Sequence, residues 1–535
     1  MKALLKFSTL ILFLGVLIHL SCKKEYSCEN CRAKNQPPIA HAGNDTTIVL
    51  PVDSVIFDGS ASTDDKKIAS YQWKKISGPG TVTIRNATAV TTVVNNLAPG
   101  VYQFELKVTD DEGLFSLDTL LITVNPSAST VFDCHVTRTS FTKLPTAGGV
   151  VHTAAAGNKI LFVRYTDQGV VDIYDTTTRS WSTVSGMYAT YGNNYLNAVT
   201  LGNKIIYSEP VYLNATRFNE QLINIYDAET NSWSVSHLPE GREAYTSAMI
   251  GNKVIYAGGY SYINDTPSVS KKLDIYDASS NSWSSINFPQ ARQGMKAAAI
   301  GNKVIFAGGF ITRYDSLVLV CDDYGLHCNN VPAVVATDRI DILDLSSNTW
   351  SVAYLSEPRG GVAAARVGNK IVFASGYSNN INNTSSNKAD IYDASSNSWS
   401  STDIGLNQSI AEAGTYANSV GDKVLVYGSS DKVYIYDAAN NSWSVAQMPQ
   451  PLESSAQERD KAAVIGNKII FYTIFCSDSD SKSIDIYDAS ANAWCHSLLP
   501  DNHVRAGVIS YGNRIYIAGG IEGSTNIDTV FFLNF

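Results

Sequence analysis

Apolar and polar residues alternate over short runs along most of this chain, and the runs are separated by Gly, Asp, Asn and Ser. Between Ile39 and Val124 they read TTIVLP, SVIFDGSAS, IASYQWKKI, GVYQFELKVTDDEG and DTLLITV. Such alternation predicts a β-sandwich of about ninety residues. Farther on the pattern repeats. Gly-Asn-Lys or a near variant recurs at Gly157, Gly202, Gly251, Gly301, Gly368, Gly421, Gly466 and Gly512, each time just before an apolar run. Residues 242–286 show the unit: small residues Thr246 to Ile250, an apolar strand Lys253 to Ala257 ending in Gly258-Gly259, a variable loop, LDIYD to Asp277, and a tight turn through Trp283. Each unit is therefore a four-stranded piece of a circular array.

The eighth unit has its small strand (Ala506 to Tyr511), its apolar strand (Arg514 to Ala518) and a third strand, Thr529 to Phe535, but no Trp-bearing fourth. A spare strand, Arg138 to Leu144, stands at the start of the array with Phe141 in the aromatic place. It is predicted to complete the last unit, because an open array would leave two exposed edges. Eight units follow, with seven as the alternative.

Composition narrows the partners. Charged residues are 17% of the chain and the formal net charge is -9, which argues against nucleic acid. Lys2 and Lys6, an apolar run from Phe7 to Leu20 and then Ser21-Cys22 have the order of an export signal. The segment resembles a bacterial lipoprotein signal, apart from His19, and that resemblance makes Cys22 the lipid-bearing first residue of a protein anchored in the cell envelope, with the outer membrane as the expected location. The domain plan is a signal peptide (1–21), a polar tether (22–36), the sandwich (37–125), a linker (126–137) and the repeat array (138–535). Of the seven other cysteines, Cys321 and Cys328 bracket a short polar insertion and are the candidate disulfide. The remaining pairings stay open. Cys28 and Cys31 form a lone CxxC without further zinc ligands nearby, so no metal and no cofactor is expected.

The sandwich segment closely resembles a PKD domain, an immunoglobulin-like module of extracellular proteins, through PPIAHAGNDTTIVLP, FDGSASTDD, YQWKKISGPG and LAPGVYQFELKVTDDEG. Trp73 then belongs to its core, and acids such as Asp64, Asp65, Asp110 and Asp111 are read as turn caps ahead of calcium ligands. The repeat resembles the Kelch motif: a diglycine after the second strand (Gly258-Gly259, Gly308-Gly309, Gly519-Gly520), Tyr-Asp on the third, and Trp181, Trp233, Trp283, Trp350, Trp399, Trp443 and Trp494 on the fourth. Val163-Arg164, Ser208-Glu209 and Thr473-Ile474 depart from the diglycine. Together the resemblances imply an all-β chain, an immunoglobulin-like (PKD) β-sandwich followed by an eight-bladed Kelch-type β-propeller.

Two constellations are candidates for binding. Insertions after the second strand carry Tyr260, Tyr262, Phe310, Tyr314 and Tyr377 among many Asn and Ser residues, a mixture that stacks on sugars or docks polypeptide. Nine residues before each repeat glycine, the series reads Gly148, Asn193, Arg242, Arg292, Arg359, Glu412, Gln457 and His503. The three consecutive arginines either bond loop carbonyls as part of the fold or present guanidinium forks to an acidic ligand. No phosphate loop, serine elbow or HExxH occurs. Propeller histidines are too scattered for a copper site like that of galactose oxidase. A sialic acid mutarotase or epimerase, using Arg242, Arg292, Arg359 and Glu412, is the enzymatic alternative to a non-catalytic, envelope-anchored receptor for a glycan or an extracellular protein.

Overall fold

The computed structural model describes residues 35–535 apart from 50–52, 98–99, 126–130, 134–136, 146, 148, 165–169, 186–196, 215–216, 243–244, 264–265, 322–327, 379–384, 405–414, 429–431, 450–457, 475–482, 499–505 and 523–524. Cys22, the apolar segment before it, and Glu412 lie outside the described residues.

The N-terminal unit is a β-sandwich. One sheet runs in the order Thr46–Val49, Phe115–Asn125, Gly100–Asp110, Ile68–Ser77, its first pair parallel, and it faces a three-stranded sheet of Val55–Asp58, Thr91–Asn95 and Thr83–Ile84. Alternation drives the packing. Along Gly100–Asp110 the even positions Tyr102, Phe104, Leu106 and Val108 are fully buried while their neighbours are not. They enclose Trp73 and Phe57, whose rings lie 5.1 Å apart. The acids cap turns and tie strands. Asp110 accepts from the amides of Glu112 and Leu114 and from Asn35 Nδ2 at 2.6 Å, and these bonds hold its carboxyl below the usual range although burial opposes them. Asp64 caps the amide of Lys66, and Asp45 accepts from that of Leu121.

Among the described residues eight sheets follow, each with four antiparallel strands and the seventh with a fifth added at its edge. The third is typical: Thr246–Ile250, Lys253–Ala257, Lys272–Asp277, Ser282–Asn287 in sequential order. Its second strand is buried after Lys253 because both faces are covered. Val254 and Tyr256 enter a core shared with the second sheet, while Ile255 and Ala257 enter one shared with the fourth. The same holds around the series, and the eighth core joins Tyr516, Val530 and Phe532 of the last sheet to Ile160, Phe162 and Tyr174 of the first. In the fourth strand Trp283 and Ile286 are half-buried while their neighbours face solvent, and Trp283 packs 5.3 Å from Tyr276 and 5.9 Å from Tyr256. The hairpin before it closes on Asn281, at φ 51°, whose side-chain oxygen accepts from Tyr276 at 2.6 Å, while Asp277 caps the amide of Ser279.

Thr137–Lys143 pairs antiparallel with Thr529–Asn534 and supplies the fourth strand of the last sheet, as the missing strand required. Two details differ from expectation. Val131–Asp133, within the predicted linker, adds as a parallel fifth strand to Ala493–Leu498 of the seventh sheet. Phe141 does not stand in the register position of the Trp residues. That place falls to Arg138 opposite Leu533, and a bulge between Val530 and Phe531 displaces Phe141 into the seam, edge-on to Tyr174 at 5.0 Å and to Phe532 at 5.4 Å.

Candidate functional site

The three ring arginines lead into the first strands of the third, fourth and fifth sheets, and all are fully buried. Each meets an aspartate on the third strand of its own sheet. Arg242 Nη1 lies 2.6 Å from Asp274 and also donates to Glu240 O, while Nε reaches Gly258 O at 2.9 Å and Nη2 reaches Tyr256 O at 3.0 Å. Arg292 pairs with Asp341 and donates to Gly308 O and Arg339 O; Arg359 pairs with Asp390 at 2.5 Å and donates to Ser386 Oγ and Phe373 O. Burial pulls the Arg292 guanidinium down to about 10 and lowers that of Arg359, and it raises the Asp390 carboxyl. At neutral pH the guanidinium of Arg292 keeps its charge.

These guanidiniums face carbonyls and carboxylates of the fold, not solvent, and the geometry is that of an internal lock. The acidic-ligand reading of Arg242, Arg292 and Arg359 gives way to the alternative, because all three are fully buried and each is already paired with an aspartate, although Nε of Arg292 and of Arg359 has no hydrogen-bond partner. A signal for this was in the sequence. Where the ring residue is Arg, the third strand carries Asp274, Asp341 or Asp390; where it is Asn193 or Glu412, the third strand has Asn224 or Tyr434 instead, and where it is Gln457 the third strand keeps Asp485, which meets His496. The first sheet, whose ring residue is Gly148, makes the same pair from another place: Arg164, standing where other repeats have diglycine, lies 2.5 Å from Asp172.

The locks also explain the diglycines. Gly309 N donates to Arg359 O at 3.0 Å, joining the fourth sheet to the fifth, and Gly259 N donates likewise to Arg292 O. A Cβ on Gly308 (φ 63°) would overlap the Arg359 carbonyl, and one on Gly258 would overlap that of Arg292. In the fifth sheet Ser375 holds the same place, with the same pattern of amide bonds, at φ 58°. Gly308→Ala is expected to lower stability by about 3 kcal/mol through left-handed strain and the backbone clash. Ser375→Gly, at the same φ, should stay within about 1 kcal/mol. Denaturation midpoints of the two variants compare them directly.

The aromatic candidates separate into buried and exposed. In the third and fourth sheets the insertions are β-hairpins, Tyr260–Ile263 with Thr266–Val269 and Phe310–Cys321 with Cys328–Ala336, while in the second the strands themselves extend as Lys204–Asn214 and Arg217–Asp227. All leave the same end of the sheets. Phe310 is 3% exposed, packs against Gly294 and Gly360, and sits 5.1 Å from the Tyr377 ring. It is a plug beneath the loops, not a docking group. Tyr377 is half-buried against Gly361, and burial raises its hydroxyl pKa; Tyr260 is also half-buried. Tyr314 is 74% exposed. The reason is local: Arg313 pairs with Ala333 and Leu317 with Pro332, so Tyr314, Asp315 and Ser316 bulge without partners on the opposite strand. Cys321 and Cys328 are direct register partners, while their side chains and that of Tyr262 lie outside the described residues.

The family model described as K319L-like, PKD domain matches residues 42–124. The chain is 41% identical over 90 residues to human dyslexia-associated protein KIAA0319, and 37% identical over 101 residues to human low-density lipoprotein receptor-related protein 11. These alignments take in 17% and 19% of this chain and only 8% and 20% of the relatives, so the chain spans a minor part of their length. A solution structure of the PKD domain from KIAA 1837 protein is 37% identical, covers 19% of this chain and 99% of its own, and has a TM-score of 0.17. Residues 42–124 are a PKD domain, an immunoglobulin-like β-sandwich, as the resemblance implied.

Proposed function

We propose that the eight sheets are blades of a Kelch-type propeller, and that the chain is an envelope-anchored receptor which binds a glycan or an extracellular protein through its hairpin face. Cys22, at the end of the N-terminal apolar run, is the anchor in this reading, and the PKD domain is the spacer. The circular succession of shared cores and the pairing of Thr137–Lys143 with the last sheet support the propeller. The carrying observation for binding is the hairpin of the fourth sheet, whose bulge presents Tyr314 to solvent between Arg313 and Asp315, both also exposed. An exposed aromatic flanked by both charge signs suits stacking on a sugar or seating in a protein pocket. The mutarotase alternative is weaker, because its three arginines are enclosed and already paired.

The test uses Cys22→Ser, which is expected to leave the membrane fraction and supply soluble full-length protein. That protein is screened on arrays of glycans and of extracellular proteins beside the same chain carrying Tyr314→Ala. Binding that falls about tenfold with Tyr314→Ala supports the hairpin face. No binding on either array, or binding indifferent to Tyr314, would sink it, and Cys22→Ser protein still held in membranes would remove the anchor.

A further inference from the structure

At the opposite end of the sheets from the hairpins, a cleft of about 410 Å³ lies in the seam between the last sheet and the first. Two arginines line it, Arg514 and Arg179. Both mark places where the repeat breaks its own rule.

The first rule concerns the cation that begins each second strand. In five sheets this lysine pairs with the aspartate that ends the third strand: Lys159, Lys204 and Lys423 lie 2.5 Å from Asp175, 2.6 Å from Asp227 and 2.7 Å from Asp437, and Lys253–Asp277 and Lys468–Asp488 do the same. In the last sheet the register partners are Arg514 and Asn534. Arg514 Nε donates to Asn534 Oδ1 at 3.1 Å, and its guanidinium lies 4.1 Å from the Phe532 ring centre. A neutral amide thus stands where the other sheets have a carboxylate, and the positive charge is left uncompensated.

The second rule concerns the left-handed turn before the fourth strand. Asn231, Asn281, Asn348, Asn397, Asn441 and Asn492 adopt it, but the first sheet has Arg179 there, at φ 58°. In two of these turns the Asn receives the lysine of the preceding sheet. Lys303 donates to Asn397 Oδ1 at 2.9 Å and to Tyr392 at 3.2 Å, and Lys370 donates to Asn441 and Tyr436. At the seam Arg179 takes the place of that Asn, and it lines one cleft together with Arg514 and Tyr174. Asp175, the nearby acid, is engaged by Lys159. Among the described residues no carboxylate lies within ion-pair distance of Arg514 or Arg179.

We propose that this seam is a binding site for a small oxyanion, a carboxylate, sulfate or phosphate group, held between Arg179 and Arg514. Forked donors of two guanidiniums fit such a group, and Thr139 and Asn513 add polar lining at the exposed mouth of the cleft. The volume suits a small molecule. Because the cleft is built from the N-terminal closing strand, the last sheet and the first, the bound anion ties the two ends of the repeat array together and stabilises the folded state by mass action.

The experiment is a calorimetric titration of the full-length chain with sodium sulfate, sodium phosphate and sodium succinate, each against sodium chloride at equal ionic strength. Two variants restore the repeat's own chemistry: Arg514→Lys with Asn534→Asp rebuilds the ion pair, and Arg179→Asn rebuilds the turn. Both are expected to fold, since their side chains already serve these positions in the neighbouring sheets; unchanged β-sheet circular dichroism checks this. Saturable one-to-one binding of at least one oxyanion, weakened about tenfold or more in each variant, is the expected result. The anion preferred among the three identifies the group. No saturable heat with any of them, or equal affinity in wild type and both variants, overturns the site.

Discussion

Deleting Thr137–Lys143 from the full chain is expected to abolish cooperative melting of the eight repeat sheets while leaving the PKD domain folded. The strand pairs with Thr529–Asn534 along its whole length, so its loss uncovers a row of amides and carbonyls on the last sheet. It also removes Phe141 from the seam core, where that ring touches Tyr174, Tyr516 and Phe532. An aromatic side chain of this kind contributes about 1.5–3 kcal/mol by burial, and each ladder hydrogen bond adds about 1 kcal/mol. The sum exceeds about 5 kcal/mol, comparable to the whole stability of an ordinary domain. Neighbouring sheets then lose their partners in turn, because each second strand is covered on both faces by adjoining sheets. Thermal unfolding followed by tryptophan fluorescence reports on this: every Trp except Trp73 lies in the repeat sheets. A synthetic peptide of residues 131–146 added in trans should restore the transition in part. A deletion variant that melts cooperatively at the wild-type temperature would show that the sheets need no closing strand.

Much of this order was legible because it is periodic. The recurring Gly-Asn-Lys turn, the apolar second strand and the Tyr-Asp and Trp positions locate nearly every strand, and the residue doing each job is local to it. The spare strand Arg138 to Leu144 was readable as the completion of the last unit, and Thr137–Lys143 takes that place. What the pattern could not carry was contact between distant units. Val131–Asp133 is three residues long and has no alternation, so nothing local marks it as a strand; only the free edge of Ala493–Leu498 gives it a place. Phe310 looked like a loop aromatic by position, yet the glycines at 294 and 360 leave room that its ring fills. Tyr314, by contrast, owes its exposure to a bulge that depends on the register of the opposite strand. The arginines were the closest case. Their charge suggested a ligand, and the information that cancels it lay on another strand of the same repeat, at Asp274, Asp341 and Asp390.

That cancellation has a measurable consequence at the most completely bonded of the three. Arg242→Ala is expected to cost about 3–5 kcal/mol, because Asp274 is left as a buried charge without its partner. Ser285 Oγ still donates to Asp274 but supplies no charge. The carbonyls of Gly258 and Tyr256 lose their donors as well. Arg242→Lys should recover only part of the loss: a single ammonium cannot reach Asp274, Gly258 O and Tyr256 O together as the planar fork does. The double change Arg242→Met with Asp274→Leu should be less harmful than Arg242→Ala alone, since removing both charges also removes the uncompensated one. Urea denaturation of the full chain measures all three. The order expected is wild type, then the double variant and Arg242→Lys, then Arg242→Ala. A lock and a ligand-facing arginine diverge here, because a ligand-facing group could be cut away with little change in stability, and an Arg242→Ala chain as stable as wild type would return Arg242 to the list of recognition residues.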